Sequence, residues 1–304
     1  MKIAFAIIAY KDIDLLNYLI KQILTNDNCY VFIHIDLKSS INLNSLHSDP
    51  RVTIISARKS VEWGDFSTVE ATNSIFKEIT EYKLKFDYVS LLSGQDLLLK
   101  SPTAIIDYLE MNKNFDLYMD VSRLPVEGWT SGGGYERILL YYPKIFRKRY
   151  KKNHPIHTLR AVYSRLLPFK ILPTKKLPKN IEFWGGSAWF TVGTNLLHKS
   201  MQYIYDNPWY DDFFKDSLIS DEMYFATLYM NLANRKKVIS NNNFVYIDWN
   251  NPNKSENASP KTLEISDKAN IEASDKFFAR KFSTDKDNEI IKYFYQKVIK
   301  QIKN

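Results

Sequence analysis

Apolar residues in the first 120 positions follow two alternating patterns. Continuous apolar runs, typical of strands buried on both faces, alternate with stretches whose apolar residues recur at helical spacing. The predicted strands are 3–8, 30–36, 52–55, 88–92 and 117–120, and the predicted helices are 15–24, 66–82 and one that begins at Ser101-Pro102. This alternation predicts an α/β fold with an open, mostly parallel sheet flanked by helices.

The pattern after residue 121 is less regular. Residues 122–137 look like a loop, 156–168 a short amphipathic helix, and 188–192 and 244–249 strands. Further helices are predicted for 196–205, for the stretch after Ser220 and for 288–302. We expect Ser220 to be the N-cap of the helix that follows it. Since no internal repeat or linker is visible, we predict a single domain over 1–304, with a nucleotide-binding half (1–121) and an acceptor and catalytic half (122–304).

Ligands of such sheets bind at the carboxyl ends of the strands, so the residues that follow each predicted strand are candidate binding residues. They are Ala9, Tyr10, Asp36, Trp63, Gly64 and the turn Ser93-Gly94-Gln95-Asp96. No Gly-x-Gly-x-x-Gly follows the first strand and no Walker Gly-Lys-Ser/Thr occurs, which argues against dinucleotide and P-loop sites. The positions predict a nucleotide site without identifying the nucleotide.

The net charge of +8 comes from one segment. Residues 138–181 contain 12 Lys or Arg and no Asp or Glu, whereas the remainder carries 30 basic and 34 acidic residues. Three interpretations stay open: a solvated surface, a nucleic-acid site and a contact with anionic lipid. A lipid contact would use Arg147, Lys148, Arg149, Lys151 and Lys152, with the apolar residues of 156–167. Because no nucleic-acid motif is present, we expect no nucleic-acid partner.

The chain has no apolar run of about 18 residues, so no membrane span is predicted. The apolar stretch that follows Lys2 is short and is interpreted as a buried strand rather than a signal peptide. The single cysteine, Cys29, excludes an internal disulfide and suits a reducing compartment. We therefore expect a cytoplasmic protein, with peripheral contact at the inner membrane face if the basic segment binds lipid.

Asp221 and Glu222 lie in the first turn of a predicted helix. Two carboxylates there can simply stabilise the helix end, an effect of about 0.3–1 kcal/mol. Alternatively, Glu222 is a general base that takes a proton from an incoming hydroxyl group, with Asp221 as an orienting residue. Asp96 and Asp248 are the other candidates for the base.

Arg280 and Lys281 are flanked by Phe277, Phe278 and Phe282, which argues against a fully solvated basic pair. A guanidinium beside an ammonium suits the oxygens of a diphosphate. The one Asp-x-Asp match, Asp12-Ile13-Asp14, precedes a helix and is interpreted as a helix start rather than a metal site. We therefore predict no metal site. Trp63, Trp184 and Trp189 fit either stacking on sugars or packing.

Eight short segments carry a family resemblance and occur in the family's order. They are Ala9-Tyr10-Lys11, His34-Ile35-Asp36-Leu37-Lys38, Val61-Glu62-Trp63-Gly64-Asp65-Phe66-Ser67, Leu91-Leu92-Ser93-Gly94-Gln95-Asp96, 183–190, Ser220-Asp221-Glu222, Tyr246-Ile247-Asp248-Trp249 and 277–282. Together they resemble the core-2/I-branching β-1,6-N-acetylglucosaminyltransferase family, which includes the peptide O-xylosyltransferases. Few cysteines and a high content of Asn, Lys and Ile suggest a bacterial member.

The resemblance implies a GT-A type fold, a nucleotide-sugar donor and inverting transfer without a metal. It implies that Asp36 and the main chain near Ala9 hold the uracil, that Glu222 is the base, and that Arg280 and Lys281 hold the diphosphate. The remaining implied site residues are Trp63 and Gly64 for the donor and Ser93, Gln95, Asp96, Gly185, Gly186, Ser187, Trp189 and Asp221 for the sugar and acceptor. Core-2 members have a second cationic residue upstream of the segment that matches 279–282. The corresponding region here, 244–246, contains no cationic residue, and the Arg280-Lys281 pair can serve instead.

The expected function is therefore transfer of a sugar, best assigned as N-acetylglucosamine, from a UDP-sugar to a hydroxyl of a glycan or lipid-linked acceptor, with a β-linkage. No cofactor and no divalent metal are expected. Two alternatives stay open: the same fold with UDP-xylose, UDP-glucose or UDP-galactose as donor, and a non-catalytic protein that binds carbohydrate or membrane.

Overall fold

Two β-sheets organise the structure, a computed structural model that describes residues 1–129, 132–250 and 259–300. The strands are β1 (Ile3–Ala9), β2 (Cys29–Ile35), β3 (Val52–Ile54), β4 (Tyr88–Ser93), β5 (Asp96–Leu98), β6 (Leu117–Arg123), β7 (Trp184–Gly193), β8 (Val238–Ile239), β9 (Val245–Ile247) and β10 (Phe278–Arg280). The helices are α1 (Ile13–Ile23), α2 (Ser67–Glu81), α3 (Pro102–Met111), α4 (Tyr135–Leu139), α5 (Pro155–Arg165), α6 (Thr194–Asp206), α7 (Pro208–Phe214), α8 (Asp221–Leu232), α9 (Lys268–Glu272) and α10 (Asn288–Lys300). Four 3₁₀ turns cover Leu43–Ser45, Leu167–Phe169, Arg235–Lys237 and Ile265–Asp267.

The large sheet has the strand order β3-β2-β1-β4-β7-β6-β8. β1, β2, β3 and β4 pair in parallel, β7 runs antiparallel to both of its neighbours, and β8 is parallel to β6. The predicted α/β fold with a mostly parallel sheet is therefore confirmed. A small sheet, β5-β10-β9, lies beside it and brings the end of the chain against the turn after β4.

Alternate residues of the central strands enter two apolar cores. Ile3, Phe5 and Ile7 face a core formed with α1, α3 and α10, and Ala4 and Ala6 face one formed with α2, α6 and α8. Residues of β1 are buried on both faces of the sheet, which explains why its sequence is a continuous apolar run. The sheet is thus a rigid layer whose strand ends can position a site.

Helix starts were predicted correctly where a side chain reaches the first turn. Asp12 accepts a hydrogen bond from the backbone N–H of Leu15 (3.2 Å), and Ser101 accepts one from that of Ala104 (3.2 Å), with Pro102 as the first helical residue. The prediction that Ser220 caps its helix is wrong for the side chain. Ser220 precedes α8 with helical dihedral angles, and its buried hydroxyl has no hydrogen-bond partner in the described ranges.

Corrections concern mainly the second half of the chain. Residues 122–137, expected to be loop, begin with the end of β6 and contain the start of α4. β7 begins four residues before the predicted strand because Trp184 and Gly185 pair with β6. β9 is shorter than predicted, and α7 was missed. The predicted end of the last helix, 301–302, lies outside the described residues.

The basic segment 138–181 does not form one exposed cationic surface. It covers a small apolar cluster of Leu140, Tyr142, Phe146 and Leu218. Arg147 was expected among the lipid-facing cations, and this is wrong. Its largely buried guanidinium pairs with Asp65 (2.8 Å) and with Asp216 (3.3 Å). Among the residues that the structure describes, no helix combines the length and apolar character of a membrane span.

Candidate active site

The candidate site residues gather at one edge of the large sheet. β1, β2 and β4 are parallel and end there, so Ala9, Asp36 and Ser93 come together. β7 is antiparallel to β4, and therefore its first residues extend past the same edge. β10 adds Arg280 beside β5, directly after the β4 turn.

The ends of β1 and β2 form a closely packed floor. The backbone N–H of Asp36 donates to the carbonyl of Ala9 (2.9 Å), and Asp36 Oδ1 accepts from the backbone N–H of Lys38 (2.9 Å). A Cβ added at Gly94 would lie 2.9 Å from the Cβ of Ala9, so this turn requires glycine. Ala9 and Asp36, the predicted uracil contacts, are thus neighbours, and both are largely buried.

Arg280 is held by the turn after β4. Its Nε donates to Asp96 Oδ1 (3.2 Å) and its Nη2 lies 3.5 Å from Ser93 Oγ. Asp96 is fully buried; burial raises the pKa of its carboxyl, and the charge of Arg280 opposes that rise. Asp96 also accepts from the backbone N–H (2.9 Å) and the hydroxyl (2.6 Å) of Ser93. Asp96 therefore positions Arg280 and has no surface of its own to offer a sugar.

A bulge in β7 places Trp189 over Arg280. Met119 pairs with Phe190 and Val121 with Gly186, so the three residues 187–189 project from the sheet. Ser187 Oγ holds the bulge, since it accepts from the N–H of Trp189 (3.0 Å) and from the buried amide of Asn243 (2.9 Å). The indole of Trp189 lies 4.2 Å from the Arg280 guanidinium carbon, a cation–π contact.

Gly186 is the crossing point of this bulge. A Cβ there would lie 2.0 Å from the carbonyl oxygen of Asp120, a clash that the paired backbone of β6 cannot relieve.

Gln95, another predicted acceptor residue, connects the β4 turn to the segment after β10 and to the residue after β1. Its carbonyl accepts from the N–H of Phe282 (2.8 Å), and its side chain accepts from the hydroxyl of Tyr10 (3.3 Å).

Lys281 lies in a group of positive charges. Its half-buried ammonium is close enough to Arg149, Arg280 and Lys11 for their charges to act on it. Burial, followed by these three cations, lowers the pKa of Lys281 to about 8. Arg280 has its carboxylate in Asp96, but no ion pair joins Lys281, Arg149 or Lys11 to a carboxylate within the described ranges. We call these three residues the cation group; its uncompensated charge favours an anion.

The loop that carries Trp63 and Gly64 connects the cation group to α8. The guanidinium carbon of Arg149 lies 5.6 Å from the centre of the Trp63 ring, which is 39% exposed. The carbonyl of Gly64 accepts from the N–H of Ile219 (2.9 Å), two residues before α8. Gly64 has φ +84°, a conformation that a side chain would disfavour. The loop therefore has the cation group on one side and the Glu222 turn on the other.

Glu222 is held by a sequence-distant arginine. Arg137 Nη1 donates to Glu222 Oε2 (2.7 Å), and the Arg137 guanidinium carbon lies 4.1 Å from the centre of the Trp129 ring. That ring fits between two glycines: a Cβ at Gly185 would approach it to 2.7 Å, and one at Gly134 to 3.0 Å. Glu222 is thus one-third exposed and held in one orientation by its ion pair with Arg137.

Asp221 differs from its neighbour. Its Oδ1 is buried and has no hydrogen-bond partner in the described part of the chain. Burial, and next the charge of Glu222, raise the pKa of Asp221 to about 7. The environment of Asp221 therefore favours its protonated form relative to an ordinary carboxyl group, and Glu222 is the carboxylate of this turn that is paired with a cation.

Arg137, Lys11 and Asn243 were not assigned to any site from the sequence, and Arg149 was assigned to the lipid contact rather than to this site. Arg149 belongs to the basic segment and Lys11 to the segment Ala9-Tyr10-Lys11, but no local sequence pattern indicated that either side chain lies near Lys281.

Asp12, the first residue of the Asp-x-Asp match, accepts from the N–H and hydroxyl of Thr284, both at 2.8 Å. Across the described ranges, no three Asp, Glu, His or Cys side chains are grouped as a metal site would require.

The sequence matches the Core-2/I-Branching enzyme family over residues 3–275. The chain therefore belongs to this family. The matched range includes Glu222 and the β4 turn and ends before Arg280 and Lys281.

Two curated relatives are "Beta-1,3-galactosyl-O-glycosyl-glycoprotein beta-1,6-N-acetylglucosaminyltransferase 4" from Mus musculus and from Danio rerio. They are 27% and 23% identical over 235 residues, which cover 74% of this chain and 46% and 49% of theirs. The chain thus spans about half the length of these relatives. A remote structural neighbour is a galactosyltransferase, LgtC, solved with donor and acceptor sugar analogues. The match covers 99% of this chain and 95% of that chain, with a TM-score of 0.39 and 10% sequence identity.

Proposed function

We propose that this chain is a glycosyltransferase of GT-A type that moves a sugar from a UDP-sugar to a hydroxyl group of a glycan or lipid-linked acceptor. N-acetylglucosamine is the first choice of sugar, because the curated relatives are named for its transfer. The observation that carries the proposal is the cation group Lys281, Arg149 and Lys11, which lies beside the strand ends and has no carboxylate partner among the described residues. The sheet edge would hold the nucleotide, so 1–121 and 122–304 would serve as donor and acceptor halves of one domain.

Breaking the bond between the sugar and the diphosphate leaves negative charge on the β-phosphate oxygen. Preorganised cations stabilise such charge by several kcal/mol in a site that excludes water. Lys281 is half buried and its ammonium needs a counter-charge, which the diphosphate supplies. Arg280, fixed by Asp96 and Trp189, adds a second positive field from one side. In this proposal, cationic side chains do the work that a divalent ion does in other transferases.

The acceptor hydroxyl must lose its proton as it attacks. Glu222 is the proposed base, because its carboxylate is accessible and oriented by Arg137. Attack on the sugar carbon forms one C–O bond while the bond to the diphosphate breaks, and the hydroxyl proton goes to Glu222. A single displacement inverts the anomeric configuration, so an α-linked donor would yield a β-linkage.

The test is release of UDP from a panel of UDP-sugars, with and without EDTA. The proposal expects one preferred donor, release that EDTA leaves unchanged, and loss of release in Glu222→Gln with UDP binding retained. Glu272→Gln is a matched control, because Glu272 is 31% exposed, lies on α9 and, like Glu222, forms an ion pair with one cation, in this case Lys297. A donor that binds without release would indicate the non-catalytic alternative, and a metal requirement would refute the role of the cations.

A preferred release from UDP-xylose, UDP-glucose or UDP-galactose would leave the proposed chemistry in place and change the sugar. Wild-type release by Glu222→Gln would remove Glu222 as the base, with Asp248 as the next residue to test.

A further inference from the structure

Four large apolar side chains are exposed in succession in the basic segment. They are Leu159 (57% exposed), Val162 (47%), Phe169 (70%) and Ile171 (67%). Leu159 and Val162 lie three residues apart on α5, and Phe169 and Ile171 lie on the two sides of Lys170 at the turn that follows. We call these four residues, with Arg165 and Lys170, the α5 surface.

Other residues of α5 contact the rest of the protein. Ile156 and Tyr163 pack on the small cluster around Leu140, and Arg160 Nη1 donates to the carbonyls of Phe146 (2.9 Å) and Lys148 (3.0 Å). The hydroxyl of Ser164 hydrogen-bonds that of Tyr142 (2.8 Å). Ile156 and Tyr163 are therefore partly covered, whereas Leu159 and Val162 stay exposed in the described structure.

The charged residues of the basic segment itself are of a single sign. Apart from Arg149 of the cation group, seven cations of the basic segment are exposed and have no ion-pair partner among the described residues: Lys144, Lys151, Lys152, Arg165, Lys170, Lys176 and Lys179. The segment contains no Asp or Glu. Two copies meeting through this face would bring like charges together, so a second copy of the chain is a poor occupant. An anionic surface that accepts apolar side chains fits both properties.

We infer that the α5 surface binds an anionic lipid bilayer, with Leu159, Val162, Phe169 and Ile171 inserted at the level of the headgroups and the exposed cations over the anionic lipids. Arg147, Arg160 and Lys175 do not take part. Lys175, for example, is buried and donates to the carbonyl of Phe213 (2.6 Å) and to the hydroxyl of Ser217 (3.1 Å), so it anchors the segment instead.

The α5 surface is mechanically tied to the candidate active site. Arg160 of α5 fixes the carbonyl of Lys148, and the next residue, Arg149, extends to Trp63 and Lys281. A bilayer bound at α5 therefore lies against the segment that completes the cation group. That the bilayer also presents a lipid-linked acceptor is a consequence that rests on the proposed function; the membrane contact itself does not.

The experiment is co-sedimentation of the full chain with phosphatidylcholine vesicles, with and without phosphatidylglycerol, at low and high salt. We expect binding only to the anionic vesicles, weakened at high salt. The double variant Phe169→Ser with Ile171→Ser should reduce affinity at least tenfold, and Lys170→Glu at least fivefold, since each cation near an anionic surface contributes about fivefold. Met111→Ser, which removes a 78% exposed side chain at the end of α3, is the matched control and should bind normally.

Thermal unfolding and UDP release from the donor in solution are measured on the same variants and should be unchanged. Failure of UDP release in the wild type would refute the proposed function and leave vesicle binding to be judged on its own. The inference is overturned if anionic vesicles do not bind the wild type at low salt, if the Phe169/Ile171 variant binds as well as the wild type, or if the chain binds single-stranded nucleic acid in preference to the vesicles.

Discussion

Binding of a UDP-sugar should weaken steeply above pH 8, because the ammonium of Lys281 must be protonated to hold the diphosphate. The pKa of Lys281 is lowered to about 8 by burial and by Arg149, Arg280 and Lys11. A bound diphosphate supplies the missing negative charge and therefore raises that pKa. Proton and donor binding are thus linked, and the complex takes up a proton wherever the free protein has lost it.

The magnitude follows from the fraction of Lys281 that is protonated. With a pKa of about 8, roughly nine-tenths of the free protein is protonated at pH 7 and roughly one-tenth at pH 9. If the pKa in the complex exceeds about 10, the dissociation constant should rise about tenfold between these pH values. Proton uptake on binding should approach one per site at pH 9 and vanish at pH 7.

Isothermal titration calorimetry in buffers of different ionisation enthalpy measures both quantities. Lys281→Arg should bind with little pH dependence, since a guanidinium stays charged over this range, and it reports any titration of the ligand itself. Lys281→Met should bind more weakly at pH 7 and show no proton uptake. Lys77→Met, at a 68% exposed position on α2, should behave as the wild type. Equal affinity at pH 7 and pH 9 in the wild type, or the same slope in Lys281→Arg, would refute the reasoning.

Three further changes test individual contacts in and near the candidate site. Gly185→Ala should displace the Trp129 ring, which a new Cβ would approach to 2.7 Å, and lower kcat with little change in the KM of the donor; an unchanged kcat in steady-state kinetics would contradict this. Arg147→Met should lower the free energy of unfolding by about 3 kcal/mol in urea, because it leaves the buried carboxylate of Asp65 unpaired; a loss below about 1 kcal/mol would mean that the pair is dispensable. Asp221→Asn should raise Tm at pH 8 and leave it unchanged at pH 4, since a folded pKa of about 7, above the usual value of 3.8, makes the carboxyl destabilising as pH rises between these values; an equal effect at both pH values would rule out titration as the cause.

Local pattern was sufficient for most of the framework. The continuous apolar runs at β1, β2 and β4 predicted buried parallel strands, and the strand ends predicted where Ala9, Asp36 and Ser93 would gather. Pattern failed at β7. There the start of the strand contains Gly185 and Gly186, whose role is to let Trp129 and the β6 backbone approach closely, and neither approach is visible in the order of residues.

The sequence also showed that the basic segment is uniformly cationic, but it did not show which of its cations are buried, which lie in the candidate site and which are exposed. Arg147 is buried against Asp65, Arg149 reaches toward Lys281, and Lys170 is exposed between two apolar side chains, although all three belong to one uncompensated run. A count of charges treats them alike. Their different environments depend on where each residue lies relative to the small apolar cluster of Leu140, Tyr142, Phe146 and Leu218.

The sequence by itself determined most strands of the large sheet, several helix starts, the family motifs and the candidates Glu222, Arg280 and Lys281, because each is specified by a few consecutive residues whose spacing follows the periods of strand and helix. Only the tertiary structure decided the partners of these residues. Arg137 reaches Glu222 across 85 positions, and Asp96 reaches Arg280 across 184. Such pairs form when the sheet closes and brings distant strand ends to one edge, and no periodicity in a chain specifies which side chains will meet there.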